Sequence, residues 1–122
     1  MNHRNPVPKP EIPKPGNPLS EVKRLITKGE WYLDGLAPQT TWFDFGWDLE
    51  AVKKCLLKLN DRFFGHDPDK NHFYKSEDQR DIPGAKMDYY KACNIMDGEN
   101  VYIHLYIDPA SNKVVINSFK RL

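Results

Sequence analysis

The stretch Val101-Tyr102-Ile103-His104-Leu105-Tyr106-Ile107-Asp108 alternates apolar and polar residues with a period of two. That period predicts a strand with one face on a core and the other toward solvent. Val101, Ile103, Leu105 and Ile107 are expected inside, with Tyr102, His104, Tyr106 and Asp108 outside. Pro109-Ala110-Ser111-Asn112 follows, a run of turn formers that suits a hairpin. The chain then reads Lys113-Val114-Val115-Ile116-Asn117-Ser118-Phe119-Lys120-Arg121. Its unbroken apolar run at 114–116 predicts burial on both faces, as in a central strand.

Upstream of this pair, residues 73–79 and 87–94 carry aromatic and β-branched residues and read as two more strands. Residues 60–71 are polar, interrupted by Gly65 and Pro68, and predict a loop. Before the loop, Leu49, Val52, Cys55, Leu56 and Leu59 recur at helical spacing behind Asp48, with Lys53, Lys54 and Lys58 on the opposite, solvated side. Residues 31–46 are rich in aromatics and turn formers, and only 31–33 suggest a short strand. Trp31, Trp42 and Trp47 are expected to pack between the helices. Residues 19–29 predict a first helix, capped by Ser20, with Glu21 at its positive end, Val22, Leu25 and Ile26 on one side and Gly29 at its stop. Two N-terminal helices on a mainly antiparallel sheet make an α+β fold.

The first 18 residues hold six prolines, at 6, 8, 10, 13, 15 and 18. A run of this kind neither packs a core nor joins a ladder, so residues 1–18 are expected as a flexible arm and residues 19–122 as one domain. The 122 residues carry 18 basic and 17 acidic side chains, a net charge of +1. No broad basic field draws in nucleic acid, so any RNA contact has to be local. Cys55 and Cys93 show no disulfide framework, and no secretory or membrane-spanning apolar run stands out. A cytoplasmic setting and no membrane contact are expected. Cys55 falls on the apolar side of its helix and reads as a buried structural thiol.

Metal-free RNA cleavage needs a group to take the 2′-hydroxyl proton, one to protonate the leaving 5′-oxygen, and cations for the charge on phosphorus oxygens. Lys75, Tyr102, His104 and Lys120 offer these types on the predicted strands. Tyr74, Tyr89, Tyr90 and Tyr106 offer rings on which bases stack. His66, Asp67, Asp69 and His72 match no defined metal-ligand spacing. Neither metal nor cofactor is expected.

Four fragments in order, Phe73-Tyr74-Lys75-Ser76, Asp88-Tyr89-Tyr90, Val101-Tyr102-Ile103 and Val115-Ile116-Asn117-Ser118-Phe119-Lys120, resemble the MqsR family of messenger-RNA-cleaving toxins. Leu19-Ser20-Glu21-Val22-Lys23-Arg24-Leu25 is similar to that family's first helix. The resemblance implies a RelE-like microbial ribonuclease fold, endonucleolytic cleavage of mRNA, and a cognate antitoxin protein as partner in a type II toxin–antitoxin system. It implies catalytic roles for Lys75, Tyr102 and Lys120, to which His104 is added as acid or base. RNA contacts are expected from Tyr74, Met87, Tyr90 and Arg80. At 87 the family tends to have glutamine, and a thioether donates no hydrogen bond to phosphate. Either His104, Gln79 or Arg80 replaces that contact, or the chain is a catalytically weakened module that acts by binding a protein.

Overall fold

The computed structural model describes residues 11–122; residues 1–10, most of the expected arm, lie outside the described residues. Three α-helices, α1 (Leu19–Thr27), α2 (Ala37–Thr40) and α3 (Leu49–Leu57), accompany five strands. These are β1 (Trp31–Leu33), β2 (Phe73–Asp78), β3 (Lys86–Met96), β4 (Glu99–Asp108) and β5 (Lys113–Arg121). They form one sheet of order β1-β5-β4-β3-β2, antiparallel except where β1 runs parallel to β5. The fold is α+β, as the sequence patterning requires.

The period-two alternation of β4 sets the layers. Val101, Ile103 and Leu105 of β4 are fully buried, and so are Phe73, Tyr90, Ala92, Val114, Ile116 and Phe119 of the other strands. They pack on Val22, Leu25 and Ile26 of α1 and Val52, Cys55 and Leu56 of α3. Val115 is buried as well, so β5 is covered on both sides at 114–116, as its apolar run predicts. The helices therefore occupy one side of the sheet, and much of the other side is left open.

Several expectations change. Ser20 lies inside α1 and makes no cap, because the helix begins at Leu19 and its N-cap position is Pro18, two residues before Ser20. Asp48 does cap α3, its carboxylate accepting from the Ala51 amide. The aromatic-rich stretch forms α2 and a π-helical turn (Thr41–Phe45), closed by Gly46 at φ 67°, a conformation that suits glycine. Its local pattern has no single period. Of the tryptophans, Trp47 and Trp31 pack against the core while Trp42 is exposed. Leu49, expected on the apolar stripe, stands in the first turn of α3 and is exposed, at the rim of a surface pocket it shares with Trp31 and Leu33 of β1.

The arm also ends earlier than expected. Asn17 is buried, and the Gly16 and Asn17 amides donate to the two carboxylate oxygens of the fully buried Asp88 at 2.8 Å each. The Asn17 side chain donates to Asp88 and to the Lys86 carbonyl and accepts from the Ile107 amide. Gly16 passes so close to Lys86 and Ser76 that an added Cβ would collide with both side chains. Residues 16–18 are thus part of the domain, tying down the edge where β2, β3 and β4 meet.

Candidate active site

Strand pairing aligns the polar side chains of the open face in two rows. In one, Lys75 of β2 pairs with Tyr89 of β3, Tyr89 with His104 of β4, and His104 with Ser118 of β5. In the next, Lys91 pairs with Tyr102 and Tyr102 with Lys120. Two irregularities make this possible. Between Phe73 and Lys75 the register shifts, so that Phe73 faces the core, Lys75 faces out, and Tyr74 is the additional residue. Between His104 and Leu105 the partner strand takes up Asn117 as its additional residue. At the far corner the loop 79–85 folds over this face, burying Met87, Tyr106 and Val115 with Ala85.

His104 stands at the centre. Its ring lies 4.1 Å from that of Tyr89 and 4.7 Å from that of Tyr102, centroid to centroid. Its Nε2 is buried and has no hydrogen-bond partner. Burial pushes its pKa down to about 4, helped by the positive charges of Lys120 and Lys75. The imidazole is consequently neutral at physiological pH, with a lone pair or proton to offer.

The lysines are held by the rings. The Lys75 Nζ lies 4.7 Å from the Tyr89 centroid, and that of Lys120 lies 5.5 Å from the Tyr102 centroid. Lys75 also donates to Glu77 at 2.7 Å, which raises its pKa, and the Tyr89 hydroxyl donates to the other Glu77 oxygen at 3.2 Å. The same bonds hold the Glu77 carboxyl below its ordinary range. Burial raises the pKa of Tyr102 and of Tyr89, so both phenols keep their protons.

The four residues expected to be catalytic, Lys75, Tyr102, His104 and Lys120, share this face. Lys75 is farther from the β4 pair than adjacent strands would place it, since β3 and Tyr89 intervene. Among the expected RNA contacts, Tyr74 is half-buried beside Lys75, and Arg80 is exposed at the rim of a cavity of about 240 Å³ lined also by Glu77, Asp78, Gln79 and Tyr89. Met87 floors that cavity and is almost wholly covered, so it supplies an apolar floor there.

Tyr90 has to be corrected: it is fully buried against Phe73 and offers no ring to a base. Tyr106, covered by the loop 79–85, is withdrawn from stacking for the same reason. Adjacent tyrosines on a strand point to opposite faces, so only one of Tyr89 and Tyr90 is available to solvent. The alternation Met87, Tyr89, Lys91 carried that information, and it also marked Lys91, which sequence reasoning missed. Glu77 was missed too, because nothing in the sequence tells a solvated acid from one that grips a lysine.

His72 belongs to the scaffold, where its Nδ1 accepts from the Asn60 amide. Among the described residues no group of three or more His, Cys, Asp or Glu side chains is placed to hold a metal. Cys55 is buried with its thiol pushed up to about 12, unsuited to nucleophilic attack. No family model and no curated protein matches this chain.

Proposed function

We propose that this chain is a metal-independent endoribonuclease cleaving mRNA, the toxin of a type II toxin–antitoxin pair, acting in the cytoplasm and held by a cognate antitoxin. The MqsR resemblance suggested this reading and the RelE-like fold that goes with it. What carries it here is the neutral, unpartnered His104 Nε2, set between two phenols and flanked by Lys75 and Lys120.

A scissile phosphate between the two lysines places its charge where their ammonium groups stabilise it. Once a flanking tyrosine ring shifts to uncover it, the His104 Nε2 takes the 2′-hydroxyl proton as that oxygen bonds to phosphorus. The bond from phosphorus to the 5′-oxygen breaks, and the Tyr102 hydroxyl protonates the departing oxygen. The products are a 2′,3′-cyclic phosphate and a 5′-hydroxyl. The phosphate competes with Glu77 for Lys75, and its negative charge offsets the cations that depress the His104 pKa. The imidazole becomes a better base once substrate is bound.

A second reading is a catalytically weakened toxin-like module that acts by binding a protein. The grip of Glu77 on Lys75 and the thioether of Met87 favour it. One assay separates the two: purified protein incubated with single-stranded RNA in EDTA, with product ends mapped. Cleavage leaving 5′-hydroxyl ends supports the nuclease. Loss of activity with chelator and recovery with Mg²⁺ overturns the metal-free mechanism, and intact RNA in every condition favours the binding module.

A further inference from the structure

The second row on the open face contains a cation that the cleavage chemistry leaves unused. Lys91 stands beside Tyr102 in the register, on the side away from Lys120. Its Nζ lies 3.8 Å from the Tyr74 ring centroid and 5.6 Å from that of Phe64, and these two rings meet edge to face. Lys75 sits at 5.8 Å from the Tyr74 centroid, so one phenol ring holds both ammonium groups in place. Lys75 is in a salt bridge with Glu77, whereas Lys91 makes no salt bridge among the described residues. Rings orient a cation without neutralising it. Lys91 is therefore a fixed positive charge still available to an anion.

Its position relative to the candidate catalytic row has a length. Two residues along a strand span about 6.8 Å and one strand spacing is about 4.8 Å. Lys91 is thus offset by one register step, of the order of one nucleotide along an RNA backbone, from the line through Lys75, His104 and Ser118. The Phe64 and Tyr74 rings are both half-buried, so each leaves part of its surface to solvent. At the opposite end of the face Glu77, Asp78 and Asp81 gather around the cavity and outnumber its single cation, Arg80, which disfavours a phosphate there.

We infer that Lys91, steadied by Tyr74 and Phe64, forms a second phosphate subsite that binds the backbone of single-stranded RNA one register step away from the row of Lys75 and His104, where the scissile phosphate is proposed to lie. The inference rests on the nuclease reading for its choice of ligand, while Lys91 itself takes no part in the bond-breaking steps. The strand then runs from the Lys75–His104 row toward Lys91 and Phe64, away from the acidic cavity.

The test is equilibrium binding of a fluorescent 2′-O-methyl oligoribonucleotide, which lacks the attacking hydroxyl, over a range of salt concentrations. Each phosphate contact to a single strand contributes about 0.7 to the slope of log affinity against log salt. Lys91→Gln, which keeps most of the stem over Tyr74, should lower that slope by about 0.7 and weaken binding roughly 3- to 10-fold at low salt. Lys91→Arg should restore the slope, since any cation serves a backbone contact, and Lys113→Gln at the hairpin end should leave it unchanged.

An unchanged slope for Lys91→Gln, with wild type binding and cleaving RNA, overturns the subsite and leaves the nuclease reading standing. A slope lower by about 0.7 for Lys91→Gln, with a wild type that binds but never cleaves the unmodified oligonucleotide, keeps the subsite and overturns catalysis. No binding by wild type overturns both.

Discussion

One sheet carries two faces built on different principles. Toward the helices, Phe119, Ile103, Leu105, Tyr90 and Phe73 interlock with the side chains of α1 and α3, and their identity matters chiefly through volume and shape. On the open face, Lys75, Tyr89, His104, Tyr102 and Lys120 touch one another through rings and charges. Their central imidazole nitrogen is left without a partner. Folding free energy comes chiefly from the first face and from the corner under the loop 79–85, so the rest of the second can hold an arrangement that stability alone would not select. Residues adjacent in sequence, such as Phe119 and Lys120, fall on opposite faces and should fail in opposite ways.

That pair breaks or upholds the comparison with the largest effects. Phe119 is fully buried, edge-on to Phe45 and Trp47, and Phe119→Ala should cost about 3–5 kcal/mol of stability in urea unfolding. Lys120→Ala should leave the unfolding midpoint nearly unchanged and lower the RNA cleavage rate about 10²-fold, as loss of one preorganised electrostatic contact does. Lys120→Arg should recover part of that loss, because a planar guanidinium places its charge differently from an ammonium. Lys113→Ala is the control and should cleave like wild type. A Lys120→Ala protein that cleaves at the wild-type rate removes Lys120 from the site; one that unfolds easily places it on the structural side.

The two faces were not equally legible. Period two in β4 assigned each residue from Val101 to Leu105 to its side, because a hydrophobic pattern is a direct record of burial. It failed at Tyr106, which alternation puts outside. There the loop 79–85 folds back over the sheet, a tertiary event with no local signature. On the open face, residue types named Lys75, Tyr102, His104 and Lys120, but neither the Tyr74 bulge nor the ion pair with Glu77 has a sequence period. The π-helical turn and the short α2 escaped for the same reason. The arm was misjudged by composition: prolines on either side concealed Gly16 and Asn17, whose value lies in reaching Asp88, 71 residues on from Asn17.

This strap gives the next test, intermediate in size. Asp88 sits on the core side of β3 as a fully buried carboxylate, the one charged side chain that is buried among the described residues. It is tolerated because Gly16 and Asn17 supply three N–H donors. Asn17→Ala removes the side-chain donor to Asp88 and leaves the Ile107 amide and Lys86 carbonyl without their partner. A loss of about 2–3 kcal/mol in urea unfolding is expected, larger than ordinary surface substitutions produce. Deleting residues 1–10 instead, upstream of the strap, supplies the comparison. An Asn17→Ala midpoint equal to wild type would return residues 16–18 to the arm.

The smallest effect is also the one that links the faces, because it reads the buried, unpartnered imidazole of the open face as stability. His104 ordinarily titrates near 6.5 and is held at about 4 in the fold, first by burial and then by Lys120 and Lys75. Above about pH 6.5 the ring is neutral in folded and unfolded chains alike, and nothing is lost. Between 6.5 and 4 the unfolded chain binds a proton that the folded one refuses, so stability falls as the pH drops through that window. The ring is only partly buried and the lysines are solvated, so the full shift is not realised and a loss on the order of 1 kcal/mol is expected. The measurement is the unfolding free energy of wild type minus that of His104→Gln, at pH 7 and again at pH 4, which cancels the titration of the carboxylates common to both. Wild type should lose stability relative to the variant on acidification. Lys120→Ala should shrink the difference, since it removes one of the two cations pressing on the ring. A difference that stays constant between the two pH values would mean that His104 titrates normally, and would return the centre of the open face to an ordinary solvated surface.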